Sequence, residues 1–382
     1  MRIHTVKKGE STEDIAREYG INERILKTTN EIGDNERIVE GEELLILTPT
    51  RTYTATDGDS LMRVALRFGQ SPGSLRGLNP HIMGNEIKSG ETVVVKCDAR
   101  PYGMGTANGI FYKGCPMWKL NRAIPYLTYL TVGAGAFDGQ KITFSFNGKE
   151  IVDTALSNGK LPLLRVYDGS DGRNYKDSRK RKDYIKELIK SAGDNGYGGI
   201  LLSSRCRDYD YENFLVELRG EMIGNDLILF SEVTEKSPLF ISDYSDGAIL
   251  TSDENFQNDL TNFATDGEST KTLVELPVFG FCEDGSYICV NDSREMAETN
   301  RSIFEKENEF LLKFKDKRHG RILINSLNGI KKRLDIIADL GYMGISFDIA
   351  RCPLSYLLMY DALFKSVGYA CVDKRVRCNN GS

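Results

Sequence analysis

The chain of 382 residues has one Trp and three His, and it has no apolar run long enough to span a bilayer. Its most apolar stretch, Tyr126 to Phe137, is short and interrupted by Thr and Gly, which excludes a membrane-spanning helix there. The histidines, His4, His81 and His319, are scattered, so neither a triad nor a metal site is expected from them. Eight cysteines form no CxxC pair and no zinc spacing, and most are expected to be reduced. Cys282 and Cys289 flank the turn Glu283-Asp284-Gly285 and are the two placed to pair. A net charge of -5 argues against a nucleic-acid surface, which needs clustered cations. The one dense basic run, Arg179-Lys180-Arg181-Lys182, opens an amphipathic helix and reads as a solvated face. Gly103-x-Gly105 lies outside any phosphate-loop context. No cofactor or metal is expected. The start, Met1-Arg2-Ile3-His4-Thr5-Val6, carries no apolar signal core, so cytoplasmic synthesis is expected.

What the chain does have is a repeat. Thr5, Gly9, Ser11, Ala16, Gly20, Leu26, Asn30 and Ile38 return without a gap as Thr54, Gly58, Ser60, Ala65, Gly69, Leu75, Asn79 and Ile87. The pair Gly41-Glu42 returns as Gly90-Glu91. Each copy reads strand, loop, helix, helix, strand. Ser11 is an expected helix cap, with Glu13 and Asp14 favouring the positive end of the helix dipole. Gly20 ends that helix, Asn30 closes the second, and Leu44 to Leu47 is the returning strand. The second copy repeats this through Ser60, Gly69, Asn79 and Val93 to Val95, after a short linker at Thr48 to Arg51.

These units resemble LysM modules, which bind N-acetylglucosamine-containing glycans such as peptidoglycan and chitin. The resemblance places the sugar between two loops of each module. Here these are Gly9, Glu10, Ser11 and Thr12 with Asn30, Glu31 and Ile32, and Gly58, Asp59, Ser60 and Leu61 with Asn79, Pro80, His81 and Ile82. Glu10 stands where Asp is usual. Tandem copies raise the effective concentration of the second site, which suits retention on a polymer.

After Cys97, apolar runs alternate with helical ones. The strand-like runs are Gly109 to Tyr112, Tyr126 to Val132, Leu161 to Val166, Gly199 to Ser203, Leu227 to Phe230, Ala248 to Leu250, Thr272 to Leu276 and Gly344 to Phe347. Eight of them predict an α/β fold, a (β/α)8 TIM barrel over residues 98–382, preceded by small βααβ modules at 1–48 and 51–97. Pro125 to Leu130, Ala155 to Leu164, Gly196 to Ile200 and Asn213 to Leu218 resemble family 18 glycoside hydrolases, the chitinase-like family. They look most like its bacterial branch of LysM-bearing spore cortex-lytic and germination proteins.

That resemblance implies acids spaced D-x-x-D-x-D-x-E on the fourth strand, with the last Glu as proton donor. This chain has Gly198, Ser203 and Arg205 at the first acid, the orienting Asp and the donor Glu. Arginine keeps its proton at any working pH. The expected aromatic positions at the ends of strands six and eight fall on Ser252 and Asp348. Asp208-Tyr209-Asp210-Tyr211-Glu212 spells a D-x-D-x-E downstream, but Glu212 abuts a helix face, so these acids read as first-turn residues.

The expectation is therefore a protein that binds peptidoglycan or another N-acetylglucosamine polymer, with a catalytically inactive glycosidase-like barrel and an association with spore or cell wall. One alternative is a hydrolase using displaced acids among Asp210, Glu212 and Glu232, or a pair of Glu232 with Asp348. Another is a structural spore-envelope component that docks other envelope or coat proteins. Glu232, Asp253 and Asp348 are the acids expected near strand ends, with Arg205 and Asp348 as an expected ion pair. A Glu reaching the centre of the mouth beside another acid would overturn the inert barrel.

Overall fold

The computed structural model describes all residues except 71, 83, 99–100, 170–171, 173–174, 207, 235, 239, 253–255, 265–267 and 367–382. The chain divides into two compact units. One comprises residues 1–104, 277–335 and 351–366; the other comprises residues 105–276 and 336–350, with 367–382 outside the described residues.

In the first unit, each repeat folds as the sequence predicts. Strands Arg2–Thr5 and Glu43–Ile46 pair antiparallel, as do Pro49–Thr54 and Thr92–Cys97. Ser11 and Asp14 form a reciprocal capping box at the helix Thr12–Tyr19, and Gly20 caps its other end with φ 63°. Ile15, Ala16, Leu26, Leu44 and Ile46 form one small core; Leu61, Val64, Ala65, Leu75, Val93 and Val95 form the other. The expected linker is a correction. Pro49 already begins the second module's first strand, because the backbone of Pro49 to Thr54 pairs with Thr92–Cys97.

Residues 277–335 build a five-stranded antiparallel sheet that the sequence reading left inside the barrel. Its strands are Phe279–Cys282, Tyr287–Cys289, Glu305–Lys306, Leu311–Asp316 and Gly320–Asn325. Cys282 and Cys289, the two placed to pair, are not joined by a disulfide, in line with the expectation that most thiols are reduced. The hairpin register sets Cys289 opposite Phe279, three pairs along the ladder from Cys282, which sits opposite Ser286 at the turn.

The second unit is the barrel. Its eight strands are Gly103–Phe111, Tyr129–Phe137, Leu161–Asp168, Gly199–Ser204, Ile228–Val233, Gly247–Leu250, Thr272–Glu275 and Gly344–Asp348. All neighbours are parallel, and the first strand pairs with both the second and the eighth, which closes the cylinder. Tyr129, Leu163, Leu201, Phe230, Ile249 and Leu273, one from each of six consecutive strands, pack together and fill the interior. No described helix is long and apolar enough to cross a membrane.

Candidate functional site

The repeated polar residues of the two modules hold the modules' own loops. Asn30 donates to the Leu26 and Leu45 carbonyls and accepts from Leu45 N–H; Asn79 does the same with Leu75 and Val94. These buried side chains latch the second loop to the last strand. Replacing Asn79 by Ala leaves a strand N–H and carbonyl unpaired in the interior and is expected to cost about 2 kcal/mol. A urea melt with an unmoved midpoint would remove the latch from the account.

The first loops close in the same way. Glu10 accepts from Lys7 N–H at 2.7 Å and lies 2.9 Å from His4 Nε2. At the equivalent place, Asp59 accepts from Thr56 N–H at 2.8 Å and from Tyr53 Oη at 2.6 Å. The Thr56 backbone bond, followed by the Tyr53 hydroxyl, lowers the Asp59 pKa to about 2. Glu for Asp in the first copy therefore keeps the loop closure with a longer arm.

The second loops differ. In the second module, Asn85 accepts from Leu61 and Met62 N–H, so that loop folds onto its own helix start. Gly58, Gly84, Asn85 and Glu86 are exposed. His81 is buried, its Nδ1 has no hydrogen-bond partner among the described residues, and burial lowers its pKa.

In the first module, the equivalent loop is gripped by residues 277–335. Arg294 donates to Glu42 Oε1 at 2.6 Å, to the Asn30 carbonyl at 2.9 Å and to the Glu31 carbonyl at 3.1 Å, and it reaches Glu36 at 3.3 Å. Phe304 N–H donates to the Glu40 carbonyl, Asn328 binds the Glu43 carboxylate, and Glu31 Oε2 accepts from Leu354 N–H. A cavity of about 80 Å³ remains there, lined by Asn30, Glu31, Glu42, Arg294 and Tyr356 among others. Thus Asn30, Glu31 and Ile32, expected to meet sugar, meet protein at Asn30 and Glu31, while Ile32 joins the module core.

The barrel mouth follows from strand alternation, since residues two apart share a face. Two positions beyond the apolar interior layer come Thr131, Arg165, Ser203, Glu232, Thr251 and Glu275. Arg165 holds Glu232 through two bonds of 2.6 and 3.0 Å and reaches Ser203 Oγ at 3.3 Å. Its guanidinium carbon lies 5.9 Å from the centre of the Tyr112 ring. Burial pushes the Tyr112 hydroxyl up to about 12. Thr251 donates to Glu275 Oε2 at 2.8 Å. Burial, with the Glu232 and Asp348 charges, raises the Glu275 pKa; the Thr251 bond and Arg165 pull it the other way. Asp348 is buried and accepts from Ala350 N–H.

The expected positions fall as follows. Gly198 precedes the fourth strand and packs against Leu161, Ser203 sits inside the mouth, and Arg205 is exposed one residue past the strand. Ser252 donates to Asp259 on the helix Phe256–Ala264. Asp208 caps the helix Tyr209–Gly224, with Asp210 and Glu212 in its first turn. The guanidinium holding an acid in the mouth is Arg165 where Arg205 was expected, because the third strand points inward at 165 while 205 has left its strand. Asp253 lies outside the described residues.

Arg165 and Glu275 were missed as functional candidates. The signal was present: each stands two residues past a buried Leu, at 163 and 273, on the inward parity. One of the three histidines stands within a group of possible ligands. His319 Nδ1 lies 2.8 Å from Asp284 Oδ2, with Cys282 close enough that the three could share an ion.

Comparison with known proteins bears on both units. The LysM domain model matches residues 4–46 and 53–96. The cell wall-binding protein YocH of Bacillus subtilis (strain 168) is 32% identical over 108 residues, covering 27% of this chain and 37% of its own length. YdhD of the same organism, named as a candidate sporulation-specific glycosylase, is 24% identical over 254 residues, covering 62% of this chain and 59% of its own. The chain thus spans well under two thirds of these curated relatives. The spore cortex-lytic enzyme SleL of Bacillus megaterium QM B1551 superposes with a TM-score of 0.75 at 16% identity, over 95% of this chain and 97% of SleL. A class V chitinase from Nicotiana tobaccum gives 0.58 at 12% identity, over 67% of this chain and 98% of its own. At these identities the structural likeness establishes the fold.

Proposed function

We propose that this chain, two LysM domains joined to a chitinase-like barrel, is retained on N-acetylglucosamine-containing wall glycan, with peptidoglycan of the spore or cell wall as the ligand. The observation that carries the reading is the LysM match at both repeats, together with the exposed loops of the second. Those loops offer backbone N–H and carbonyl groups, and His81, whose Nδ1 has no hydrogen-bond partner among the described residues, lies in the loop just before Gly84 to Glu86. Such shallow polar sites suit an N-acetyl group. The first module's gripped loop supports giving most of the contact to the second. Likeness to YocH and to the spore proteins supports the wall as the setting.

The test is co-sedimentation of the full chain with purified vegetative peptidoglycan and with spore cortex. The expected result is protein in the pellet, released by N-acetylglucosamine oligomers. Protein left in the supernatant with both polymers would end this reading.

A further inference from the structure

Three ligand-type side chains converge at one end of the antiparallel sheet of residues 277–335, a place that glycan binding leaves unused. Cys282 ends the strand Phe279–Cys282, and Asp284 lies in the turn after it. His319 lies in the turn between the strands Leu311–Asp316 and Gly320–Asn325. One donor atom from each of the three lies within 4.8 Å of the other two. The two turns are neighbours because their strands pair, with Cys282 opposite Ile322. They are also bound to each other. Glu283 N–H donates to the Arg321 carbonyl at 2.8 Å, and Arg321 N–H donates back to the Glu283 carboxylate at 2.9 Å. Gly320 (φ 72°) stands so close to Glu283 that a Cβ there would run into its carboxylate.

The surroundings orient each donor. Asp284 accepts from Ser286 N–H at 2.9 Å and from Ser286 Oγ at 2.5 Å through Oδ1, which leaves Oδ2 at 2.8 Å from His319 Nδ1. Ser286 Oγ also lies 3.2 Å from that nitrogen. His319 N–H donates to Asp316 Oδ1 at 2.8 Å, which fixes its turn. Cys282 N–H donates to the Ser286 carbonyl, and the Cys282 carbonyl accepts from Gly285 N–H, so the other turn closes beside the buried thiol. Hydrogen-bonded carboxylates and rigid supports of this kind orient metal ligands. A sulfur, an imidazole nitrogen and a carboxylate oxygen form a borderline-soft donor set that suits Zn²⁺ and not the hard cations Mg²⁺ or Ca²⁺. Tetrahedral zinc holds such atoms roughly 3.3–3.7 Å apart. The His319–Asp284 contact would open by about half an ångström, and the sulfur would close by about one.

We propose that Cys282, Asp284 and His319 bind a zinc-type divalent cation that clips the two hairpin turns together. Cys282 Sγ, Asp284 Oδ2 and His319 Nδ1 are the ligands, and water takes the fourth position. Water has access because the Asp284 and His319 side chains are 42% and 32% exposed. Binding forms a metal–sulfur bond as the Cys282 thiol releases its proton to solvent, and the neutral His319 ring gives its Nδ1 lone pair. The ion ties down the segment that also supplies Arg294 and Phe304 to the first LysM module. The sequence gave no sign of the site because its ligands come from separate turns, with His319 35 residues after Asp284.

The test takes the full chain without an affinity tag, reduced and dialysed against a chelator. It is titrated with Co²⁺, a spectroscopic stand-in for Zn²⁺. The wild type is expected to take up one equivalent with a thiolate-to-cobalt charge-transfer band, which added Zn²⁺ abolishes. Cys282→Ser is expected to lose the band. Cys289→Ser, which alters the other cysteine of the same hairpin, is expected to keep it. His319→Ala and Asp284→Asn are expected to move the titration at least about tenfold to higher Co²⁺. Both change half-exposed turn residues, so they decide the matter even if Cys282→Ser does not fold. Zn²⁺ should also raise the urea midpoint of the wild type and leave that of His319→Ala unmoved. A wild type with no charge-transfer band overturns the proposal. A band kept by Cys282→Ser, or a titration unmoved in His319→Ala, shows an adventitious ion only and overturns it too.

Discussion

Replacing Arg294 by Ala is expected to destabilise the first unit by about 3–5 kcal/mol and to free the loop from Asn30 to Glu42. The Arg294 side chain is only 14% exposed, and its strongest partner, Glu42, only 11%. Removing the guanidinium leaves that carboxylate buried without its cation and strips the Asn30 and Glu31 carbonyls of their donor. The contact with Glu36, half open to solvent, adds little. Hydrogen exchange provides the check. Amides of the first module's second loop should exchange faster in the variant, while those of the second module stay unchanged. Equal protection in both proteins would mean that Arg294 does not grip the loop. The same variant bears on binding, since freeing this loop is expected to raise retention on peptidoglycan.

The second large effect separates two glycines that the repeat makes equivalent. Gly41 and Gly90 have φ of 83° and 81°, so an Ala at either meets the same left-handed strain of roughly 1–2 kcal/mol. Around Gly90 a new Cβ meets nothing within 4 Å. At Gly41 it would stand 1.9 Å from the Phe304 carbonyl oxygen and 2.8 Å from its carbon. Both are backbone atoms, fixed by the Phe304 bond to Glu40 and by the burial of Phe304 among Leu312, Phe314 and Ile324. Gly41→Ala is therefore expected to cost more than about 4 kcal/mol and Gly90→Ala about 1–2. Urea melts of the two variants measure the difference directly. Equal costs would show that residues 277–335 do not press on the first module at Gly41.

This contrast marks where reading the sequence stopped. The repeat showed that Gly41 and Gly90 share a backbone conformation, because a positive φ is a local demand met by the residue itself. It was silent on Phe304, which lies far away in the chain. Arg294 was invisible for the same reason. A single Arg in a polar helix looks like any solvated charge until another segment arrives to bury it. In the barrel, the eight strands were legible because buried parallel strands are continuous apolar runs. Only the long antiparallel insertion after the seventh strand escaped, its short alternating strands lacking such runs.

Family-pattern reasoning drew attention to Gly198, Ser203 and Arg205, where acids were missing, and away from Glu275, where one was present. A motif on one strand is local in sequence, whereas a barrel mouth collects single residues from many strands. Parity along each strand is the bridge between the two, and applied to the third and seventh it selects Arg165 and Glu275 without further information.

Residue order by itself determined the two βααβ modules, their caps, the barrel and the vacancy on its fourth strand, since each depends on side chains close together in the chain. Only the tertiary structure decided which module keeps its loops open and which carboxylates share the mouth. Those outcomes depend on charge and volume brought together across hundreds of residues, and Coulomb and steric forces act on distance in space, whatever the separation along the chain.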